Sequence, residues 1–169
     1  FAGHLKEMAQ ELGHLALGYK HHDKAVQFYK DIMNFYYTDQ IGDRAVFFTC
    51  NTDHHTLNCA SIGHDMIHHI AFQLKDASHQ YASSDVLAKH GIPIFWGPSR
   101  HTAGHNIATY HHDPDDNVVE LFIDMDVYIP ELGYFEPRPW HEELPLRPRV
   151  WESNNAWETE YLMTITEGV

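Results

Sequence analysis

Residues 100–120, RHTAGHNIATYHHDPDDNVVE, contain three side chains whose chemistry could be combined: His101, Tyr110 and Glu120. Glu120 lies within the apolar run VVELFI, which follows the turn sequence DPDDN and is typical of a β-strand. A carboxylate on the buried face of a strand costs several kcal/mol unless it is paired or binds a metal. A lone glutamate in a strand more often faces solvent, so a metal site needs support from the rest of the chain.

Two halves of the chain predict the same order of elements, β-α-β-β-β. In each half a strand precedes a helix that begins at an aspartate, Asp23 or Asp76. The strand GHLAL lies 55 residues before HHIAF, and the two aspartates are 53 residues apart, which indicates an internal repeat. The predicted strands cover residues 13–18, 35–39, 45–50 and 54–59 in the first half and 68–73, 93–96, 106–111 and 118–123 in the second.

This repeat predicts an α+β fold in a single domain, residues 1–169. Neither module can bury a sheet face alone, so the βαβββ modules 12–64 and 65–125 are expected to pair into a half-open barrel around a central cavity. Residues 1–11 are interpreted as a short polar lead-in. Residues 126–169, rich in proline and tryptophan, are predicted to form an ordered tail that wraps the body, covers the cavity or contacts another subunit of a homo-oligomer.

The first strands of the two modules place a histidine at equivalent positions, His14 and His69. Each is followed on the same strand face by an alanine, while the larger apolar residues occupy the opposite face, because successive side chains of a strand point to opposite sides. The larger residues can pack under the helices. The two histidines are therefore expected to face the cavity.

The fourth strands can be aligned through their preceding turns, CNTDHHTLNC against DPDDNVVELF. This alignment places Glu120 on Leu57, so that Leu57 and His55 would share the cavity face with Glu120 and His54 would point away. The cavity would then contain two imidazoles and one carboxylate, with a non-coordinating Leu57 at the fourth symmetric position. This is the facial ligand set of non-haem Fe(II) oxygenases, which leaves positions open for substrate and dioxygen.

Over residues 12–125 the sequence resembles the type I extradiol ring-cleavage dioxygenases of the vicinal oxygen chelate superfamily, whose fold is glyoxalase/bleomycin resistance-like. The resemblance depends on CNTDHHTL, on HHIAF and on the spacing His–x8–Tyr–x9–Glu. It implies Fe(II), occasionally Mn(II), and insertion of both atoms of dioxygen beside a catechol's diol. It also implies the roles of six residues: metal ligands His14, His69 and Glu120, an acid/base at His55, and substrate-binding groups His101 and Tyr110.

Larger members of that family carry a further N-terminal domain. The chain is therefore expected to be either a single-domain member or the catalytic half of a longer protein.

The same residue types suit catechol chemistry in their own right. A catechol must lose a proton to chelate a metal, and binding to the ion lowers the pKa of its hydroxyl groups. A histidine, with an ordinary pKa near ~6.5, can accept that proton and later return it. Tyrosine and a second histidine can hydrogen-bond the oxygens of the substrate.

Composition excludes some classes of partner. A net charge of −13 argues against nucleic acid, and no apolar run is long enough for a membrane span. Two cysteines provide no disulfide framework, which favours a cytoplasmic location. Two rival functions stay open: a glyoxalase-like isomerase or lyase, against which Leu57 argues because such enzymes usually have four polar ligands, and a metal-free protein that binds small aromatic compounds.

Overall fold

A nine-stranded mixed sheet is the main element of the computed structural model, which describes residues 9–144 and 146–158. Predictions that concern residues 1–8, Pro145 and residues 159–169 lie outside the described residues. The strands are β1 Ala9–Tyr19, β2 Tyr36–Ile41, β3 Ala45–Thr49, β4 Leu57–Ser61, β5 Met66–Leu74, β6 Ile94–Arg100, β7 Ile107–His112, β8 Val118–Ile123, β9 Tyr128–Ile129, β10 Tyr134–Phe135 and β11 Val150–Trp151. Helix α1, His22–Gln27, continues as a π-helical turn, Phe28–Ile32, and α2 covers Ala77–Lys89.

The order of strands repeats about the centre of the sheet: β11-β2-β3-β4-β1-β5-β8-β7-β6. In each module the first strand pairs in parallel with the fourth, β1 with β4 and β5 with β8, and the remaining pairs within a module are antiparallel. The two modules meet where β1 and β5 pair antiparallel. The predicted α+β fold of two paired βαβββ modules, a half-open barrel of the vicinal oxygen chelate type, is confirmed.

One face of the sheet packs against the helices and the other encloses the cavity. In the first module the core under α1 is formed by alternate residues of two strands, with Val26 of the helix packed against them. These strand residues are Val46, Phe48, Leu57 and Cys59. In the second module Gln80 of α2 is buried and donates a hydrogen bond of 2.7 Å to Thr109 Oγ1. Alternation along each strand therefore leaves the intervening side chains for the cavity.

Two details differ from the sequence-based predictions, and a third agrees with them. Strand β1 begins at Ala9, so residues 9–11 are not a lead-in. The first helix begins at His22 and lacks a side-chain cap, so Asp23 lies in its first turn instead of capping it. Asp76 does cap α2, since its side chain accepts a hydrogen bond of 3.1 Å from the His79 backbone N–H.

The fourth strand of the first module begins later than predicted, and this changes the alignment of the two modules. Residues 54–56 lie outside any strand, and β4 begins at Leu57. In the register of the sheet Ala16 pairs with Asn58, whereas its equivalent Ala71 pairs with Glu120. The residue equivalent to Glu120 is therefore Asn58, and the prediction of Leu57 at that position was wrong. Leu57 packs under α1.

The described part of the tail, residues 126–144 and 146–158, packs against the body of the domain. Strand β11 adds to the edge of the sheet through a parallel pairing with β2, and β9 and β10 form a small separate hairpin. Ser153 and Asn154 reach the lining of the central cavity. Contact with another subunit stays a prediction. The described part of the chain contains no helix with the length and apolar character that crossing a bilayer requires.

We expect Gly97 in β6 to be essential for the fold of the second module. Its φ is +90°, and a Cβ there would collide with the Ala108 carbonyl oxygen and lie 2.9 Å from Thr109 Cα. Gly97→Ala should therefore lower the free energy of unfolding by about 2–4 kcal/mol. Gly42→Ala is the matched control, because Gly42 also has a positive φ, +49°, but faces open space. Equal melting temperatures for the two variants would contradict this account.

Candidate metal centre

Three neighbouring strands bring His14, His69 and Glu120 together. These residues lie on β1, β5 and β8, and all three side chains are buried. Glu120 Oε2 lies 3.1 Å from His14 Nε2 and 3.1 Å from His69 Nε2, and the two nitrogens are 3.3 Å apart. Since 55 and 106 residues separate His14 from the other two, only the pairing of the modules produces this triangle.

The triangle fits a divalent transition ion. With bonds of about 2.1 Å and ligands at right angles, neighbouring ligand atoms are about 3.0 Å apart, close to the three separations observed. Two imidazole nitrogens that point at each other and at one carboxylate oxygen are also a donor set that iron and manganese accept. His68 Nδ1 lies 2.8 Å from His69 Nδ1 and can fix the orientation of that ring, as a hydrogen-bond partner of a metal-binding histidine commonly does.

Glu120 is fully buried and is held in its ionised form. Burial alone raises its pKa, but the charges and hydrogen bonds of His14 and His69 outweigh burial and hold the pKa well below its usual value. Tyr110 Oη donates to Oε2 at 2.8 Å, and Asn106 Nδ2 donates to Oε1 at 2.9 Å. Sequence reasoning missed Asn106; its only signal was an amide side chain directly before strand β7.

His101 and Tyr110 lie together on the side of the second module. Tyr110 is directly opposite Glu120 in the β7–β8 register, and its hydroxyl is 3.4 Å from His101 Nε2. Burial lowers the pKa of His101 to about 4, only partly opposed by the charge of Glu120. Burial and then the charge of Glu120 raise the pKa of Tyr110 well above its usual value. At neutral pH the site therefore offers a neutral imidazole and an intact phenol hydroxyl.

His55 reaches the cavity from the first module. It lies in the irregular segment before β4, and its ring centroid is 4.3 Å from that of His14. Burial, followed by the proximity of His14 and His54, lowers the pKa of His55 well below its usual value. His54 turns away from the cavity towards Asp39. The predicted directions of the two rings agree with the structure, although strand alternation is not the reason, because neither residue is in a strand.

The cavity beside the triangle has a volume of about 400 Å³ and is lined by both modules and the tail. His14, His69, Glu120, His55, His101 and Tyr110 all line it. Its other walls include the apolar side chains of Ile41, Ala45, Phe47, Ala60 and Ile62. Asn58, at the position equivalent to Glu120, also lines the cavity. The space thus has one polar end with titratable groups and an apolar region large enough for an aromatic ring.

A second cluster, His105, Asp126 and His141, holds the tail against the body. Asp126 accepts hydrogen bonds from His105 Nδ1 at 2.7 Å, from His141 Nε2 at 3.0 Å and from Trp140 Nε1 at 3.1 Å. The three titratable groups are close enough to hold a metal ion, but these direct bonds already satisfy both carboxylate oxygens. We therefore interpret the cluster as a structural clamp.

We expect Asp126→Asn to lower the free energy of unfolding at pH 7 by about 2–4 kcal/mol, because a buried carboxylate with three donors is replaced. Burial raises the pKa of Asp126, but its hydrogen bond with His105 and the charges of His105, His54 and His141 bring that pKa below its usual value of 3.8. The stabilisation is therefore present above about pH 4 and lost as the pH falls through the lower, folded-state pKa. Denaturation at several pH values should show the gap between wild type and variant narrowing below pH ~4. A difference in unfolding free energy that did not change with pH would contradict the interpretation as a clamp. Asp23→Asn, which changes an exposed side chain, is the control.

The chain belongs to the Glyoxalase/Bleomycin resistance protein/Dioxygenase superfamily, whose family model matches residues 11–121. The superfamily predicted from the sequence motifs is thereby confirmed. Metapyrocatechase 2 from Cupriavidus necator is 29% identical over 125 residues, which cover 73% of this chain and 39% of that protein.

Solved structures support the same fold. A Mn(II)-bound glyoxalase from Novosphingobium aromaticivorans matches with a TM-score of 0.74 at 24% identity, and the match covers 89% of this chain and 46% of the glyoxalase chain. A halotolerant catechol dioxygenase matches with a TM-score of 0.70 at 24% identity, and the match covers 88% of this chain and 47% of the dioxygenase chain. The matched part of the chain thus covers less than half the length of each of these three proteins.

Proposed function

We propose that this chain, as one catalytic domain of two modules and a tail, is an extradiol dioxygenase that cleaves a catechol ring beside its diol with both atoms of dioxygen. His14, His69 and Glu120 would hold Fe(II), or Mn(II) in its place. The observation that carries the proposal is the triangle of two imidazole nitrogens and one carboxylate oxygen beside an aromatic-sized cavity. The relationship to a metapyrocatechase supports the same class of reaction.

A bound ion would supply a Lewis acid for the diol and a redox-active centre for dioxygen. The surrounding residues have three tasks. His55, neutral and directed at the cavity, accepts a proton from a hydroxyl group of the substrate. Tyr110 and His101 hydrogen-bond the substrate oxygens from the opposite module. The apolar wall around Phe47 packs against the ring and excludes water.

A glyoxalase-like isomerase or lyase is the second candidate, and Asn58 is the observation that favours it. The argument from a non-coordinating Leu57 does not hold, since a polar residue occupies the fourth symmetric position. A neutral amide is nevertheless a weaker ligand than a carboxylate or imidazole, which keeps the three-ligand centre as our first choice.

Oxygen consumption separates these functions. The full chain would be loaded anaerobically with Fe(II), and separately with Mn(II), and then mixed with a panel of catechols in an oxygen electrode. We expect one dioxygen consumed per ring and a yellow ring-opened product. Bound metal with isomerase or lyase turnover and no oxygen uptake would support the second candidate. Tight binding of catechols without any metal would identify a binding protein instead.

A further inference from the structure

A chain of buried hydrogen bonds leads from Asp39 through His54 to His55. Asp39 Oδ2 is 3.0 Å from His54 Nε2, and His54 Nδ1 is 2.9 Å from His55 Nδ1. The exposed fractions of these three residues are 3%, 0% and 2%. Asp39 belongs to β2 and the two histidines to the irregular segment before β4, so the chain of hydrogen bonds crosses the first module from its outer strand to the cavity.

The donors and acceptors along this chain determine where each proton lies. Asp39 accepts hydrogen bonds from the Arg149 backbone N–H at 2.7 Å and from Trp151 Nε1 at 2.6 Å. An ionised carboxylate only accepts, so a neutral His54 carries its proton on Nε2, which leaves Nδ1 as an acceptor. His55 must then donate from its own Nδ1. Its Nε2 retains a lone pair and has no hydrogen-bond partner within the described residues.

Packing around His54 prevents this arrangement from relaxing. The His54 ring stacks on Phe135 with centroids 4.9 Å apart and planes 21° apart, and its backbone N–H donates to the Asp126 carbonyl at 2.8 Å. Gly104 adopts a φ of +83°, and a Cβ there would lie 3.1 Å from His54 Nδ1 and 3.2 Å from His55 Cε1. The tail and the second module therefore hold both rings in place.

We infer that Asp39 and His54 are positioning residues that fix the tautomer of His55, so that His55 Nε2 faces the cavity as a proton acceptor. The proposed function enters only in naming the donor, a hydroxyl group of the substrate. In that transfer the substrate O–H bond breaks, a bond forms between the proton and His55 Nε2, and the oxygen retains the electron pair. The imidazolium so formed lies at one end of a hydrogen-bonded chain whose other end is the Asp39 carboxylate, as in the histidine–aspartate pair of serine hydrolases.

The tautomers can be measured without any assay of activity. A two-bond ¹⁵N–¹H correlation spectrum of the full chain, with diamagnetic Zn²⁺ in place of a paramagnetic ion, reports which nitrogen of each histidine is protonated. We expect protonated Nε2 for His54 and protonated Nδ1 for His55. Protonated Nε2 on His55 in the wild-type protein would overturn the inference, even if the protein cleaves catechols.

Substitutions test the consequence. Asp39→Asn should change the tautomer of His54 and lower kcat for ring cleavage by about 10–100-fold, the usual effect of an outer hydrogen-bond partner, with a smaller change in KM. His54→Asn keeps an acceptor near the place of Nδ1 and should retain more activity than His54→Leu, which has none. This second pair keeps the test valid if Asp39→Asn folds poorly. Asp23→Asn, which removes an exposed carboxylate, is the control and should leave kcat unchanged.

Equal kcat values for His54→Asn and His54→Leu would contradict the inference, because a merely structural role needs only the volume of the ring. A wild-type protein that cleaves no catechol would refute the proposed function but leave the tautomer measurement decisive for this inference.

Discussion

Replacing Glu120 with glutamine is expected to remove the metal and, with it, ring cleavage. Glutamine has nearly the same shape, but its amide carries no charge and cannot supply both oxygens that Glu120 directs at its four neighbours. Loss of a residue that only hydrogen-bonds a metal ligand lowers metal affinity or activity by about 10–100-fold. Loss of the charged ligand itself should have a larger effect and lower kcat/KM by at least about 10³-fold. Metal per chain after desalting should fall in parallel.

Glu11→Gln is the matched control for this substitution. Glu11 is exposed on β1, the strand that carries His14, so its loss should change neither metal content nor rate. A Glu120→Gln protein that retained a full equivalent of metal and wild-type turnover would remove the basis for the metal centre proposed above.

Replacing His55 with phenylalanine should lower kcat for ring cleavage by roughly 10²–10⁴-fold, the usual contribution of a general acid/base. Metal content should stay unchanged, because His55 is a neighbour of His14 and not part of the ligand triangle. The loss of kcat is expected because, among the described residues, His14 is the only other imidazole of the first module that lines the cavity, and His14 belongs to the ligand triangle.

His54→Phe is the comparison for that variant. It should lower kcat for ring cleavage by only about 10–100-fold, because His54 contacts His55 but does not line the cavity. Metal analysis and stopped-flow turnover of both variants would check the order. A larger loss for His54→Phe than for His55→Phe would mean that the two rings have exchanged the roles given to them here.

Much of the site follows from strand periodicity and the internal repeat. His14 and His69 occupy equivalent positions because each strand alternates its faces every second residue, and pairing of β1 with β5 then brings both rings to one side. The turn DPDDN fixes the start of β8, so the cavity-facing position of Glu120 was also visible in the sequence. These features are local, and periodicity within one strand reports them well.

The fourth symmetric position could not be read from the sequence in this way. Residues 54–56 form an irregular segment before β4, and their backbone hydrogen bonds go to distant partners, such as His54 N–H to the Asp126 carbonyl. Aligning the preceding turns therefore shifted the register by one residue, and a one-residue shift exchanges the two faces of a strand. Asn58 took the place predicted for Leu57.

The sequence by itself determined the repeat, the α+β class and the candidate ligands, because short-range patterns encode them. Only the tertiary structure decided which polar groups surround those ligands. The hydrogen bonds of Asp39 with Arg149 and Trp151 span 110 and 112 residues, and that of Asn106 with Glu120 joins a loop to a neighbouring strand. Such contacts leave no periodic trace in the chain, since they depend on how the tail and the two modules pack in three dimensions.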